Sequence, residues 1–303
     1  MQYDNLLKSS TEDLIYEANR VRKGNIGNKL EMCGIINAKS GSCSEDCKFC
    51  AQSAHHCTSI PEYSLKNKED IINAAKTALK NGAGRFGIVT SGNRLTPEEI
   101  DSIADAIRMI AGEVEIDICA SLGALEEDAF YKLKSAGLTR YHHNIETSER
   151  FYPEIVSTHS FRERIDTIRN ARNVGLEVCS GGIIGLGETW QDRIDMAVML
   201  KELGVDSVPI NFLVPIKGTP LENAEKMSPT EALRTVAIFR IILEHITIKV
   251  AAGREAVLKD FQSMMYSAGA NGMMVGGYLT VAGRPAEDDN ILIGEIKRLW
   301  NNE

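Results

Sequence analysis

The sequence carries no excess of basic charge. Lys and Arg number 34 against 42 Asp and Glu, a formal net charge of −8. Nucleic acid and anionic membrane surfaces both call for a basic footprint, so neither is expected as a partner. No apolar run approaches the roughly 20 residues that a membrane span needs. The first residues, MQYDNLLKSSTEDLIYEA, are polar and acidic, unlike a signal or transit peptide. A cytoplasmic location is the expectation. Low-complexity blocks and Pro- or Ser-rich linkers are also missing, so no domain boundary is expected beyond residue 32. An even set of cysteines is missing too. There are seven, which cannot all pair internally. In a reducing compartment such thiols bind metals or catalyse more often than they form disulfides.

What is present is alternation. Short β-rich runs occur at Cys33–Lys39, Arg85–Thr90, Glu115–Ala120, Thr139–Ile145, Leu176–Gly182, Ser207–Leu213, Ile246–Ala251 and Gly272–Val275. Between them lie stretches with apolar residues three and four apart, the helical spacing. These are Lys68–Asn81, Pro97–Ala111, Glu126–Ala136, Phe161–Val174, Thr189–Leu203, Pro229–Glu244 and Arg254–Ala268. Thr96-Pro97 and Ser228-Pro229 read as helix N-caps, each followed by acidic first-turn residues. Gly137, Gly175 and Gly204 stand where C-terminal cap glycines belong. Strands alternating with helices over 303 residues predict an α/β fold, a (βα)8 TIM-type barrel. An open doubly wound sheet is the rival. Residues 1–32 read as an N-terminal helical extension, 33–303 as the barrel domain, and 290–303 as a last helix.

Strand parity sorts the side chains, since alternate residues face opposite sides. Cys119 falls opposite Ile116 and Ile118, and Cys179 opposite Leu176 and Val178. His142, Asn144 and Glu146 share a face opposite Tyr141, His143 and Ile145. The apolar faces can meet the helices, which turns the thiols and polar groups into the lumen. A lumen of that composition reads as a site rather than a packed core.

Two motifs stand out. Cys43, Cys47 and Cys50 form C-x3-C-x2-C just after the first strand. Three thiolates on one loop can hold three corners of a [4Fe–4S] cubane and leave one iron open. The bland alternative is a zinc loop, with Cys57, His55 or His56 as fourth ligand. Gly181-Gly182-Ile183-Ile184-Gly185-Leu186-Gly187 follows the fifth strand and precedes a helix. Such glycines permit close approach of a ligand to the backbone, or serve only as a tight turn.

The C-x3-C-x2-C loop with an aromatic before its last Cys resembles the radical S-adenosylmethionine superfamily. The segments KSGSCSEDCKFCAQS, ETSERFYPEIVSTHSFRERIDTI, VCSGGIIGLGET, SVPINFLVPIKGTPL and AAGRE are similar to its biotin synthase family, from about Ile35 to Asn290. The resemblance implies that Cys43, Cys47 and Cys50 are catalytic and hold a [4Fe–4S] cluster that binds S-adenosylmethionine. It implies cofactor contacts from Phe49, Asn144, Glu146, Arg164 and the Gly181, Gly182, Ile183 and Ile184 backbone. It implies that Lys39, Asn144 and Asn211 meet dethiobiotin, that a ferredoxin or flavodoxin supplies electrons, and that the protein is a homodimer.

The chain also departs from that family. A second, [2Fe–2S] cluster there uses three strand cysteines and an arginine. Cys119, Cys179 and Arg254 match, but Gly87 stands where the third cysteine is expected. Four cysteines remain outside the radical motif: Cys33, Cys57, Cys119 and Cys179. The expectation is that these four bind a larger auxiliary cluster of four irons, with Arg254 and His142 lining the substrate pocket. An oxygen-free way of life fits such a change. The alternative for any of these thiols is a buried small hydrophobe. His142 replaces Asn, and Glu146 replaces Asp, in the run YHHNIET. Two other readings stay open at this point: a mutase or cofactor maturase of the same superfamily, and a zinc-binding structural module.

Overall fold

The computed structural model describes residues 3–279 and 283–301; residues 1–2, 280–282 and 302–303, which include the end of the expected last helix, lie outside it. Two helices, α1 (Asp4–Lys8) and α2 (Thr11–Asn25), precede the first strand. The barrel then runs β1 (Glu31–Lys39), α3 (Lys68–Lys80), β2 (Arg85–Thr90), α4 (Pro97–Glu113), β3 (Asp117–Ser121), α5 (Glu127–Ala136), β4 (Arg140–His142), α6 (Phe161–Asn173), β5 (Glu177–Cys179) and β6 (Gly182–Ile184). It continues with α7 (Trp190–Glu202), β7 (Ser207–Phe212), α8 (Pro229–Leu243), β8 (Thr247–Val250), α9 (Arg254–Leu258), α10 (Met264–Ser267), β9 (Gly272–Met274) and α11 (Ala286–Asn301).

All strand pairings are parallel, in the order β5-β4-β3-β2-β1-β9-β8-β7-β6. β5 also pairs β7 through Cys179 and Ser207, which closes the ring. β5 and β6 are one stave interrupted at Ser180-Gly181, so the nine strands among the described residues make eight staves. The expected barrel is therefore formed, and the open sheet is not.

The local signals act as chemistry requires. Thr96 caps α4 reciprocally with Glu99, and Pro97 occupies the first turn, where a missing N–H costs nothing. Ile103, Ile107 and Ile110 then recur at helical spacing and are fully buried. Each such side chain contributes about 1.5–3 kcal/mol by leaving water. Gly137, Gly175 and Gly204 all have positive φ at helix ends.

One helix differs from expectation. Arg254–Ala268 is not continuous, because Lys259 adopts φ 47° and ends α9. The turn brings Gln262 to within 2.9 Å of the Arg254 guanidinium, a bond a straight helix would not make. Among the described residues no helix is long and apolar enough to cross a membrane.

Candidate active site

The radical-motif loop leaves β1 through Gly41 and Ser42, both at positive φ. It folds back on itself. Cys43 N donates to Gln52 O, Ala54 N to Cys43 O, and Cys50 N to Cys47 O. Asp46 accepts from the backbone N–H of Ser157 and Thr158, and Lys48 N donates to Ile155 O. The loop is thereby stitched to the segment before α6. Cys47 is buried, and Cys43 and Cys50 are half-buried. Burial pushes the Cys50 thiol up to about 11, and Cys43 and Glu146 add to the shift. Burial likewise raises Cys47, with Cys50 and Cys43 adding to it.

A cavity of about 510 Å3 begins at this loop and runs down the lumen. Phe49, Cys50, Asn144, Glu146, Ile183 and Asn211 line its upper part. Asn144 accepts from Gly181 N through Oδ1 and donates to Glu146 through Nδ2. Asn211 accepts from Ala252 N and donates to Gly182 O. Glu146 has positive φ, and burial raises its carboxyl despite Arg164 nearby. Arg164 donates to Tyr152 Oη at 2.6 Å and to Asn144 O at 3.0 Å.

The glycine-rich turn has a packing role. A Cβ on Gly181 would lie 1.9 Å from Pro209 O, and one on Gly182 would lie 2.1 Å from Glu146 O. Backbone meets backbone there, so no side chain fits. Of this turn only Ile183 faces the cavity.

The lower lumen brings Cys33, Cys119, Cys179 and His142 to the same cavity wall. With them stands Lys249, whose Nζ lies 3.0 Å from Cys33 Sγ and 2.6 Å from Glu31. Beneath is a layer of ion pairs. Glu31 also meets Arg140 at 2.7 Å and Arg85 at 3.0 Å, and both arginines reach Glu177. Burial raises Cys33, and it pushes Cys119 up to about 12 with Cys33 adding to the shift. Cys179 goes the other way. Burial opposes its ionisation, but Lys249, His142 and Arg140 together bring it down to about 6. Burial also opposes the charge on Lys249, yet Cys33, Cys179 and Glu31 raise its hold on the proton.

Three expected residues are placed elsewhere. Cys57 is exposed, with its carbonyl against Gly218, and does not line the cavity. A four-thiol set with Cys57 is not assembled; three thiols are. Arg254 is fully buried outside the cavity wall and bonds both oxygens of Asp289 at 2.9 and 3.1 Å. Lying past β8 in the first turn of α9, it leaves Lys249 as the cation that β8 turns inward. Lys39 is spent on Glu99 of α4 at 2.6 Å and does not line the cavity. Gly87 does line it, but a Cβ there would lie 3.1 Å from Ile35 Cγ2. A side chain there would require Ile35 to give by a few tenths of an ångström.

A lone zinc needs its donors roughly 2.0–2.3 Å from one point. Among the described residues no three His, Cys, Asp or Glu side chains meet in that way. The donor chemistry of Cys43, Cys47 and Cys50, three thiols on one loop, suits a cluster that spreads its ligands over several irons.

Residues 39–212 match the Radical SAM superfamily, and residues 209–297 match the Biotin and Thiamin Synthesis associated domain. Biotin synthase from Thermotoga petrophila is 53% identical over 300 residues, 99% of each chain. That from Pelotomaculum thermopropionicum is 47% identical over 94% of this chain and 89% of its own. The chain belongs to the biotin synthase family. As a member of that family it is a radical S-adenosylmethionine enzyme that inserts sulfur, with a [4Fe–4S] cluster and S-adenosylmethionine as its cofactors. Solved structures share the fold. Methylornithine synthase superposes with a TM-score of 0.77 at 22% identity, covering 89% of this chain and 80% of its own. The FeFe-hydrogenase maturase from Carboxydothermus hydrogenoformans does so with 0.79 at 19%, covering 94% and 71%. Those likenesses show the barrel alone.

Sequence reasoning missed Lys249, Arg85, Arg140 and Glu31. A signal for Lys249 existed, because Ile248 and Val250 flank it in β8 and parity sends it the opposite way.

Proposed function

We propose that this biotin synthase family chain converts dethiobiotin to biotin inside the lumen, with sulfur from a second cluster low in the barrel. The observation that supports this is one cavity with Cys50 at its upper end and Cys33, Cys119 and Cys179 lower down. When bound, the first cluster and S-adenosylmethionine would supply a 5′-deoxyadenosyl radical, and the second cluster would supply sulfur.

Cys43, Cys47 and Cys50 would hold the first cluster. Phe49, Asn144, Glu146, Arg164 and the Ile183 wall would seat the cofactor beside it. Asn211 has one amide hydrogen left after its bond to Gly182 O, and His142 lies deeper, so both can orient the substrate. Cys33, Cys119 and Cys179 would hold an auxiliary cluster, a four-iron one being favoured over [2Fe–2S]. Lys249, Arg140 and Arg85 offset the negative charge gathered by three thiolates. Barrel walls surround the lumen on its sides, and a primary radical formed there must meet only its substrate.

Residues 33–303 would act as one barrel domain with residues 1–32 as its helical extension. A cytoplasmic homodimer reduced by ferredoxin or flavodoxin completes the reading. The test is iron, zinc and acid-labile sulfide per chain on protein purified without oxygen, together with biotin formed from dethiobiotin. About eight irons with biotin formed supports it. About four irons, or stoichiometric zinc, overturns it.

A further inference from the structure

Cys43, Cys47 and Cys50 lie on a loop, whereas Asn144, Glu146 and Arg164 belong to the end of β4 and to α6. A cofactor that touches both groups needs them held in register. One continuous contact path joins them, and it runs through a residue that touches neither the cavity nor a thiol.

Glu45 sits between Cys43 and Cys47. Its Oε2 accepts from Thr158 Oγ1 at 2.6 Å and from His159 Nδ1 at 2.6 Å. On the far side of the ring, His159 Nε2 lies 2.9 Å from Arg164 Nη2. A guanidinium has five donors and no acceptor, so Nε2 must accept and the ring proton must sit on Nδ1, facing Glu45. The imidazole is buried, with its side chain 3% exposed. Arg164 then fixes Asn144 O and faces Glu146 Oε1 at 3.8 Å.

We propose that His159 is a positioning residue, and that the Glu45–His159–Arg164 relay sets the cluster loop against the cofactor-binding edge of β4. The proposal rests on the reading above, in which Cys43, Cys47 and Cys50 carry the cluster and Asn144, Glu146 and Arg164 carry S-adenosylmethionine. Residues that orient a metal site from behind its ligands are typically worth roughly 10–100-fold in affinity or activity.

The experiment uses the reconstituted, oxygen-free holoenzyme and three variants. His159→Phe keeps a ring and removes both bonds. His159→Asn keeps a donor for Glu45 but has no group that reaches Arg164. His159→Gln keeps an acceptor for Arg164 but has no group at the Nδ1 position. The readouts are iron and sulfide per chain, S-adenosylmethionine affinity by titration, and the change that S-adenosylmethionine makes to the electron paramagnetic resonance signal of the reduced cluster. All three variants are expected to keep their iron and to bind S-adenosylmethionine about 10-fold more weakly or worse, with the spectral change diminished. Unchanged affinity and spectra in His159→Phe or His159→Asn overturn the relay. Iron lost in step with affinity also overturns it, because His159 then only holds the loop closed. Should the unaltered protein itself take up no iron or bind no S-adenosylmethionine, the functional reading falls, and this proposal with it.

Discussion

Lys249 Nζ lies 3.0 Å from Cys33 Sγ, although 216 residues separate the two in the chain. β8 and β1 reach each other only through β9, which pairs both. A cation brought to a thiol in this way has a partner to serve and a charge to balance. Its removal tests both. Lys249→Met leaves Glu31 and its two arginines without their third cation. Glu31 keeps Arg140 and Arg85, so the loss is that of one charged hydrogen bond, about 1.5–3 kcal/mol, read as a lower urea midpoint of the metal-free protein. A loss below about 1 kcal/mol would place Lys249 among weak surface pairs instead.

The thiols divide cleanly by position. Cys33→Ala, Cys119→Ala and Cys179→Ala should each lower iron by about four atoms per chain and leave the radical cluster's spectrum intact. Cys57→Ala should change neither iron nor product, because Cys57 stands outside the cavity. Iron lost from the Cys57 variant would mean that its loop folds inward when metal binds.

Acid stability should depend on Asp192. It is buried and accepts from Ser148 Oγ at 2.6 Å and Thr189 N at 2.8 Å. Burial opposes its charge, but bonds from Ser148, Thr189 and Arg150 hold its carboxyl below the usual range. A lowered folded value means that its contribution is complete above about pH 4 and is lost as pH falls through that lower value. Urea midpoints from pH 6 to pH 3 should therefore fall less steeply at the acid end in Asp192→Asn than in the unaltered protein. Parallel curves would exclude Asp192 as a source of the acid limb.

Two glycine substitutions should have opposite signs. Gly182→Ala drives a Cβ into Glu146 O, and backbone cannot yield as a flexible side chain does. A loss of about 1–3 kcal/mol or more is expected. Gly294 lies within α11 with nothing inside 4 Å of a new Cβ. Gly294→Ala should gain about 0.5–1 kcal/mol. Thermal midpoints of the two variants, measured side by side, check the contrast.

Much of this was readable from residue order, and the failures have physical causes. Period, caps and glycines specify strands and helices through neighbours in the chain, so β2 appears at the predicted residues and Thr96 caps α4. Parity carried Cys119, Cys179 and His142 to one wall, because alternation is a property of each strand alone. Arg254 escaped it. Its place depends on Asp289, 35 residues further on, and no local rule pairs them. Cys57 escaped for the opposite reason: a loop has no period, so nothing in its spacing says which way it faces. Glu31 precedes the apolar run that marked the first strand, and only the barrel reveals three cations around it.

The closure of β1 by β9 also decides when each half of the site can exist. The Cys43–Cys50 loop is held by short-range bonds and by the segment before α6, all within the first 159 residues. The lower thiols are different. Cys33 emerges early but gains Lys249 only after β8, and the wall seals only after Met274 docks beside Cys33. Contacts of such long separation form late in a chain made from its N-terminus. During synthesis the upper thiols are ready while the lower chamber is still an open trough. Any metal centre in that chamber is therefore built only after the ribosome has passed β9.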